Sequence, residues 1–190
     1  MSIYRYVRNL WKNPKNRLGS VWKERILKWR KEPVSLRVKR PTRIDKARSL
    51  GYKAKQGYIL VRQRVSRGGR TRPDIKSGRR SRRSGQRKDV SKSYQWVAEE
   101  RAQKGYKNCT VLNSYFVGQD GNNYWYEVIL IDRAHPSIMA DKRINWISSK
   151  RGRAARGLTS AADRSRGLRN KGKGAEKIRP GRRANLRRSH

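Results

Sequence analysis

Apolar residues near the start of the chain recur at the spacing of two amphipathic helices. The first stripe occupies positions i, i+4, i+7 and i+8 and comprises Ile3, Val7, Leu10 and Trp11. A second stripe follows Asn13 and Pro14, which suit the N-cap and the first position of a helix, and Pro33 would end this helix. The second apolar face comprises Leu18, Val21, Trp22, Ile26 and Trp29. We expect these tryptophans to pack in a core.

A short helix and a strand are predicted next. Thr42 is placed to cap a helix that ends at Gly51, with Asp45 in the first turn, near the positive end of the helix dipole. From Tyr58 to Val65 the apolar positions recur every second residue, which predicts a strand. One face of this strand would carry Ile59, Val61 and Val65, and the other face would carry Leu60, Arg62 and Arg64. The pattern therefore predicts a half-buried strand with a cationic outer face.

One more helix and a β-hairpin complete the predicted fold. Asp89 and Ser91 are candidate caps for a helix that reaches about Lys104. TVLNSYFV and YWYEVILI then flank QDGNN, which is typical of a hairpin with Gly121 available for positive φ. Residues 144–147 either add a short fourth strand or pack Trp146 over the sheet. The fold class predicted is α+β. The chain order of strand, helix and hairpin predicts a small mixed sheet with packed helices and long basic extensions.

Charge changes this picture, because cations dominate the chain. The 190 residues include 52 Lys or Arg and 13 Asp or Glu, a formal net charge of +39. Self-repulsion of this size opposes compaction, so the chain makes physical sense beside a dense polyanion. Residues 62–88 hold 12 Lys or Arg and one Asp, whereas residues 106–132 hold one Lys and three acids. The basic loop, rather than the neutral hairpin, is therefore expected to meet the polyanion.

Groups for catalysis or metal binding are sparse. Cys109 is the single cysteine and the chain has two histidines, so we expect no disulfide framework and no metal site. Residues 167–174 resemble a P-loop, but a glycine stands where Ser or Thr is needed. Asp132, His135 and Ser137 more simply cap a turn than form a triad. No apolar run suits a signal peptide or a membrane span. We expect a cytoplasmic protein that is not an enzyme, with no cofactor, no small-molecule substrate and no membrane partner.

The kind of cation favours RNA as the polyanion. The sequence has no helix-turn-helix or zinc-finger pattern, and Arg/Gly arms suit folded RNA better than a regular groove. Arginine outnumbers lysine, and a guanidinium grips phosphate bidentately and stacks on bases. Stacking on unpaired bases is also the alternative role for the N-terminal tryptophans. The cations assigned to RNA on these grounds are Arg62, Arg64, Arg67, Arg70, Arg72, Arg79, Arg80, Arg82, Arg83, Arg182 and Arg183.

Three regions follow from the distribution of charge. Residues 1–57 are predicted to be a helical, basic N-terminal region that packs on the core and on RNA. Residues 58–148 would be the α+β core, with an inserted basic loop at 66–88. Residues 149–190 would be an extended Arg/Lys/Gly-rich tail that binds RNA. Apolar periodicity disappears from Lys150 onward, so the tail is expected to be unstructured alone and to become ordered on a partner.

Several motifs, in this order, closely resemble the "fifteen-e" family of large-subunit ribosomal proteins from archaea and eukaryotes. The motifs are RPTRIDKARSLGYKAKQGY (40–58), VAEERA (97–102), VLNSYFVGQD (111–120), YEVILID (126–132) with HPSI (135–138), RGLTSA (156–161) and RGLRNKGKGAEKIRP (166–180). The resemblance covers nearly the full chain, and the tail motif looks like the archaeal branch.

The resemblance implies a structural protein embedded in large-subunit rRNA, with neighbouring ribosomal proteins as further partners. Carried onto this sequence, the matching RNA-facing candidates are Arg40, Arg43, Lys46, Arg48, Lys53, Lys55, Arg156, Arg166, Lys171, Lys173 and Lys177. The leading alternative is a nucleic-acid-compacting protein or RNA chaperone that acts outside the ribosome, since charge alone does not separate the two functions.

Overall fold

The structure is a computed structural model that describes residues 2–69, 92–173, 175 and 178. Within these residues the elements in chain order are α1 (Ile3–Leu10), α2 (Pro14–Arg17), α3 (Gly19–Lys31), β1 (Ser35–Val38), α4 (Ile44–Ser49), β2 (Tyr58–Ser66), α5 (Tyr94–Gly105), β3 (Cys109–Gln119), β4 (Asn123–Asp132), α6 (Pro136–Met139), a 3₁₀ helix (Asn145–Ile147) and α7 (Ser160–Ser165).

The strands form one four-stranded sheet in the order β1-β2-β4-β3. Each of its three pairings is antiparallel. β4 lies inside the sheet, where Val128 stands opposite Val61 of β2 on one side and Ser114 of β3 on the other. β1 and β3 are therefore the two edges. The predicted α+β fold is confirmed.

Helices cover both faces of this sheet. On one face, Trp29 of α3 packs in a cluster with Leu60 of β2 and Trp125 of β4. On the opposite face, Ala102 of α5 packs in a cluster with Val61. The sheet is thus the middle layer of the described fold, and its strands are buried on two sides rather than one.

Two-sided burial corrects the predicted cationic outer face of strand 58–65. The strand itself is present as β2, but Leu60 and Arg62 on the supposed outer face are buried, and Arg64 is half-buried. The alternation of apolar and polar residues along the strand predicts one face in the core and one face in solvent. α3 lies over the second face, so that face is interior.

Three helix boundaries differ from their predictions. The helix predicted from Pro14 divides into α2 and α3, because Gly19 adopts a left-handed φ of 48°. α4 begins without a side-chain cap, since Thr42 binds Glu127 instead. α5 is capped by Ser93; the candidate caps at 89 and 91 lie outside the described residues.

The tips of the sheet also differ in detail. β1 is too short for an alternation of apolar and polar residues to reveal it, and it forms because it pairs with β2.

Residues 144–147 form a 3₁₀ turn instead of a strand, with Ile144 and Ile147 buried and Trp146 exposed. The hairpin turn closes without positive φ at Gly121. There, Asp120 Oδ1 accepts the amide hydrogens of the residues at 122 and 123.

Part of the predicted tail is packed on the core. Ala154, Thr159 and Ala162 are buried, and Trp96 Nε1 of α5 donates a 2.7 Å hydrogen bond to the Ala154 carbonyl. The sequence predicts a tail that is unstructured alone, whereas this described part of it is folded against α5. Small residues lie close to α5 without producing a periodic apolar stripe. The three-region division of the chain stays a prediction.

Gly118→Ala tests the close packing of α3 on the sheet. A Cβ at residue 118 would lie 2.9 Å from ring carbons of both Trp22 and Trp29. We expect this overpacking to lower the free energy of unfolding by about 1–3 kcal/mol, measured by denaturant titration of the purified chain. Gly121→Ala, in the same hairpin with no atom within 4 Å of the added methyl, is the matched control. Equal stability of the two variants would contradict the packing described.

Candidate nucleic-acid interface

The predicted cations around α4 divide into exposed and anchored groups. Arg40, Lys46 and Arg48 are exposed. Arg43, by contrast, stacks over the Trp11 ring at 4.9 Å and pairs with Asp45 at 3.3 Å, leaving its side chain 12% exposed. α4 therefore presents two accessible cations and the segment before it a third, while Arg43 fixes the start of the helix to α1.

Lys53 and Lys55 converge on one carboxylate. Their Nζ atoms lie 2.9 and 2.8 Å from Asp141 Oδ2. Hydrogen bonds from Lys55 and Lys53 hold the pKa of Asp141 well below its ordinary value. Both ammonium groups keep exposed surface, so this pair is available to a phosphate only in competition with Asp141.

Arg62 lies inside the fold. Its guanidinium is 2.7 Å from Glu32, 3.9 Å from Glu127 and 4.9 Å above the Trp29 ring centroid. Only 9% of the residue is exposed. The side chain therefore joins α3 to the sheet, and a phosphate has no path to it in this arrangement.

Glu127 is the centre of this interior charge cluster. It is fully buried and accepts hydrogen bonds from the Thr42 amide at 3.0 Å and the Tyr115 hydroxyl at 2.5 Å. Burial, followed by the charge of Glu127, raises the pKa of Tyr115, which keeps that hydroxyl a donor. One carboxylate thus connects β4, β3, α3 through Arg62 and the segment before α4.

The last two cations of the strand region are more accessible. Arg64 is half-buried and donates to the Arg30 carbonyl at 2.7 Å. Arg67 is exposed, stacks over the Tyr124 ring at 5.0 Å and donates to the Asp120 carbonyl at 3.0 Å. Accessibility therefore increases along β2 towards the residue where the predicted basic loop begins.

Four of the predicted RNA-facing cations of the tail lie on its outer surface. Arg156 is exposed and donates to the Arg151 carbonyl at 2.6 Å, while Arg166 lies 3.4 Å from Asp163. Lys171 and Lys173 are exposed. The remaining predicted RNA-facing cations lie outside the described residues: Arg70, Arg72, Arg79, Arg80, Arg82, Arg83, Lys177, Arg182 and Arg183.

Comparison with known proteins identifies the family of the chain that carries these cations. The family model described as "Ribosomal L15" (L15e) matches residues 2–185. This chain belongs to the L15e family of ribosomal proteins. The large ribosomal subunit protein eL15 of Methanospirillum hungatei JF-1 is 54% identical over 193 residues, which cover 99% of this chain and 98% of that protein. The eL15 of Methanocella arvoryzae is 52% identical over 183 residues, which cover 94% and 93%.

The predicted identity is thereby confirmed as a large-subunit ribosomal protein of the fifteen-e family, archaeal branch. The predicted cytoplasmic location, in the large ribosomal subunit, follows from membership of the family. L15e proteins are a structural, non-enzymatic kind of ribosomal protein. In the part of the chain that the structure describes, no three His, Cys, Asp or Glu side chains are grouped to hold a metal ion. Nor is any helix among those residues long and apolar enough to cross a membrane.

Sequence reasoning missed the residues that attach the tail of this L15e protein to its core. Glu99 of α5 is fully buried and accepts hydrogen bonds from Ser114 of β3 and Thr159, the N-cap of α7. Burial raises the pKa of Glu99, although these hydroxyls and the charge of Arg153 oppose the shift. Two adjacent acids, Glu99 and Glu100, in the sequence of α5 are typical of a helix on the protein surface, and nothing in that pattern signals that Glu99 is interior.

Arg153 is the second attachment that the sequence did not reveal. It donates to the Val111 and Leu112 carbonyls at 2.8 and 3.2 Å and stacks over the Trp146 ring at 4.9 Å. Burial lowers the pKa of this guanidinium. Among the many arginines of the tail, its interior role depends on contacts with β3, some 40 residues earlier in the chain.

Arg62→Ala separates a structural cation from a binding cation. Removing Arg62 leaves two carboxylates without their interior partner, so we expect the free energy of unfolding to fall by about 3–5 kcal/mol. Arg67→Ala, at the exposed end of the same strand region, should change it by less than about 0.5 kcal/mol. Denaturant titration measures both changes. If Arg62→Ala unfolds with the same free energy as wild type, the stability of the fold does not depend on pairing Glu32 and Glu127 with this positive charge.

Glu99→Gln tests the raised pKa of the buried carboxyl. The folded state holds the proton of Glu99 more tightly than the unfolded state, so this group contributes stability at low pH that is lost as pH rises. The loss begins near the unfolded pKa, about 4.3, and amounts to at most about 1.4 kcal/mol per pH unit. In a series of unfolding measurements at increasing pH, the free energy of unfolding of Glu99→Gln should not show this loss.

Glu100→Gln is the control for the pH series, because Glu100 lies on the same helix but pairs with Lys92 at 2.7 Å near the surface. Identical pH profiles for wild type and Glu99→Gln would contradict the assignment of the proton to Glu99.

Proposed function

We propose that this chain is a structural constituent of the large ribosomal subunit that binds and stabilises folded large-subunit rRNA. The observation that carries the proposal is the likeness, over 99% of the chain, to a large ribosomal subunit protein. Neighbouring ribosomal proteins are the other proposed partners. No catalytic step is part of this function.

Phosphate neutralisation is the proposed source of affinity. Nine of the predicted RNA-facing cations are exposed in the part of the chain that the structure describes: Arg40, Lys46, Arg48, Lys53, Arg67, Arg156, Arg166, Lys171 and Lys173. Together with the predicted basic loop and the chain end, they would displace counterions from RNA. If about 10 to 15 phosphates are neutralised, the slope of log K against log salt is on the order of −7 to −13. Binding would then be tight at low salt and tolerant of sequence.

Shape fit is the proposed source of selectivity for folded rRNA. α4 packs through Ala47 on the face of the sheet that α3 covers, and α7 is attached through Thr159 to Glu99 of α5 on the other face. Cations carried on a rigid frame meet only those phosphates that RNA folding brings to matching positions. Arg43 and Arg62 are not assigned direct phosphate contacts, since both are held by carboxylates and tryptophan rings.

Removing the α4 cations tests this proposal. The triple variant Arg40→Gln, Lys46→Gln and Arg48→Gln should weaken binding to large-subunit rRNA and reduce the salt slope by about 1 for each phosphate that is no longer neutralised. Filter binding over a salt series measures both. The control is Arg101→Gln, Lys104→Gln and Lys107→Gln, which removes the same charge from exposed positions at the end of α5.

Equal losses of affinity in the two triple variants would favour the alternative, a compaction protein that responds to charge alone. The ribosomal function also requires near-stoichiometric sedimentation with the large subunit at moderate salt. A broad distribution over the gradient would support the alternative function instead.

A further inference from the structure

A cleft of about 210 Å³ opens beside the edge strand β3. Its walls come from four separate elements, one of which is α5 through Gln95. Arg43 and Lys46 belong to the α4 region, Arg164 belongs to α7, and Asn113 and Phe116 belong to β3. The cleft therefore exists only in the folded chain, and of its cations only Arg43 and Lys46 belong to the predicted RNA-facing set.

The cleft is cationic and has two accessible charges. No acidic residue is among its lining residues. Lys46 and Arg164 are exposed, and neither side chain has a hydrogen bond or ion pair with any residue that the structure describes. Arg43 adds a third positive charge, which Trp11 and Asp45 hold in place. An anionic ligand would be attracted by all three cations, two of them free to move towards it.

An aromatic ring lies in the same cleft. Phe116, the single phenylalanine of the chain, is 40% exposed. Its ring makes edge-to-face contacts with Tyr124 and Tyr126, at centroid distances of 6.4 and 5.9 Å, which fix its orientation. An exposed ring that lines the same cleft as two unpaired cations combines a stacking surface with phosphate partners, as sites for unpaired nucleotides do.

The β3 edge is poorly suited to the other obvious occupant, a peptide strand. Strand addition needs free main-chain groups along the edge. Gln95 Nε2 already donates to the Ser114 carbonyl at 3.0 Å, and Arg153 occupies the carbonyls of Val111 and Leu112. Side chains thus block hydrogen-bond acceptors on both sides of Asn113, whereas the side-chain chemistry of the cleft remains open.

We propose that this cleft binds one unpaired nucleotide of folded rRNA, with its base against Phe116 and its flanking phosphates between Lys46 and Arg164. The proposal rests on the proposed rRNA-binding function and adds a site with a preference for a base outside a helix.

Binding of paired hairpin RNAs to the full-length chain, freed of nucleic acid, tests the site. One hairpin carries a single bulged iodouridine, and the other has the same stem without a bulge. We expect wild type to prefer the bulged RNA, and Phe116→Leu to reduce that preference by about 5- to 160-fold, the range of one base–aromatic stack. Affinity for the plain stem should not change. Irradiation should crosslink the bulged base to the peptide that contains Phe116.

A second variant keeps the test independent of how Phe116→Leu folds. Lys46→Gln with Arg164→Gln should weaken bulged-RNA binding and reduce its salt slope by about 2. Arg101→Gln with Lys104→Gln, which changes exposed cations of α5, should leave the preference for the bulge intact.

Three outcomes would overturn the proposal. The first is crosslinking outside the cleft with unchanged preference in both cleft variants, and the second is no preference of wild type for the bulge. The third is cleft-dependent capture of a Glu-rich peptide in place of the bulged RNA, which would assign the cleft to a protein. In the first two cases, persistent salt-dependent binding of the plain stem would leave the rRNA-binding function standing. Loss of all RNA binding would instead remove that function.

Discussion

Repulsion among 52 basic side chains, set against 13 acidic ones, is the constraint on which this structure depends. In the described residues, the scarce carboxylates lie where basic segments meet the sheet. Glu32 holds Arg62 of β2, Asp141 holds the two lysines before β2, and Asp120 of the hairpin turn holds Arg30 at the end of α3 at 2.9 Å. Each ion pair attaches a cationic segment to the neutral core. Lys46 and Arg164, by contrast, are exposed and have no acidic partner among the described residues.

This use of acids links the fold to the proposed function. A cation paired inside the fold contributes to rigidity and not to RNA affinity, whereas an unpaired surface cation repels its neighbours until a phosphate neutralises it. In the proposed function, stability and binding therefore come from different arginines of one chain. Arg62 and Arg153 represent the first group, and Arg48 and Arg164 represent the second.

Buried carboxyls also connect the regions of the chain. Glu127 connects the sheet to α3 and to the segment before α4, and Glu99 connects α5 to the start of α7. As a result α4 and α7 occupy fixed positions on opposite sides of β3, and the space between them is the cleft. The two interior glutamates therefore hold the cations of α4 and α7 on a surface of defined shape, in contrast to a flexible cationic chain.

The sequence by itself determined the α+β class, most helices, β2, the hairpin and the family, because each depends on local periodicity or on motif order. It also revealed that cations are nearly absent from residues 106–132. Only the tertiary structure decided which cations are accessible. The burial of Arg62, the interior position of Glu99, the pairing of β1 and the joining of Lys46, Arg164 and Phe116 all depend on contacts between distant segments. A local pattern records that a face is polar, but whether a helix covers that face is determined by the packing of the rest of the chain.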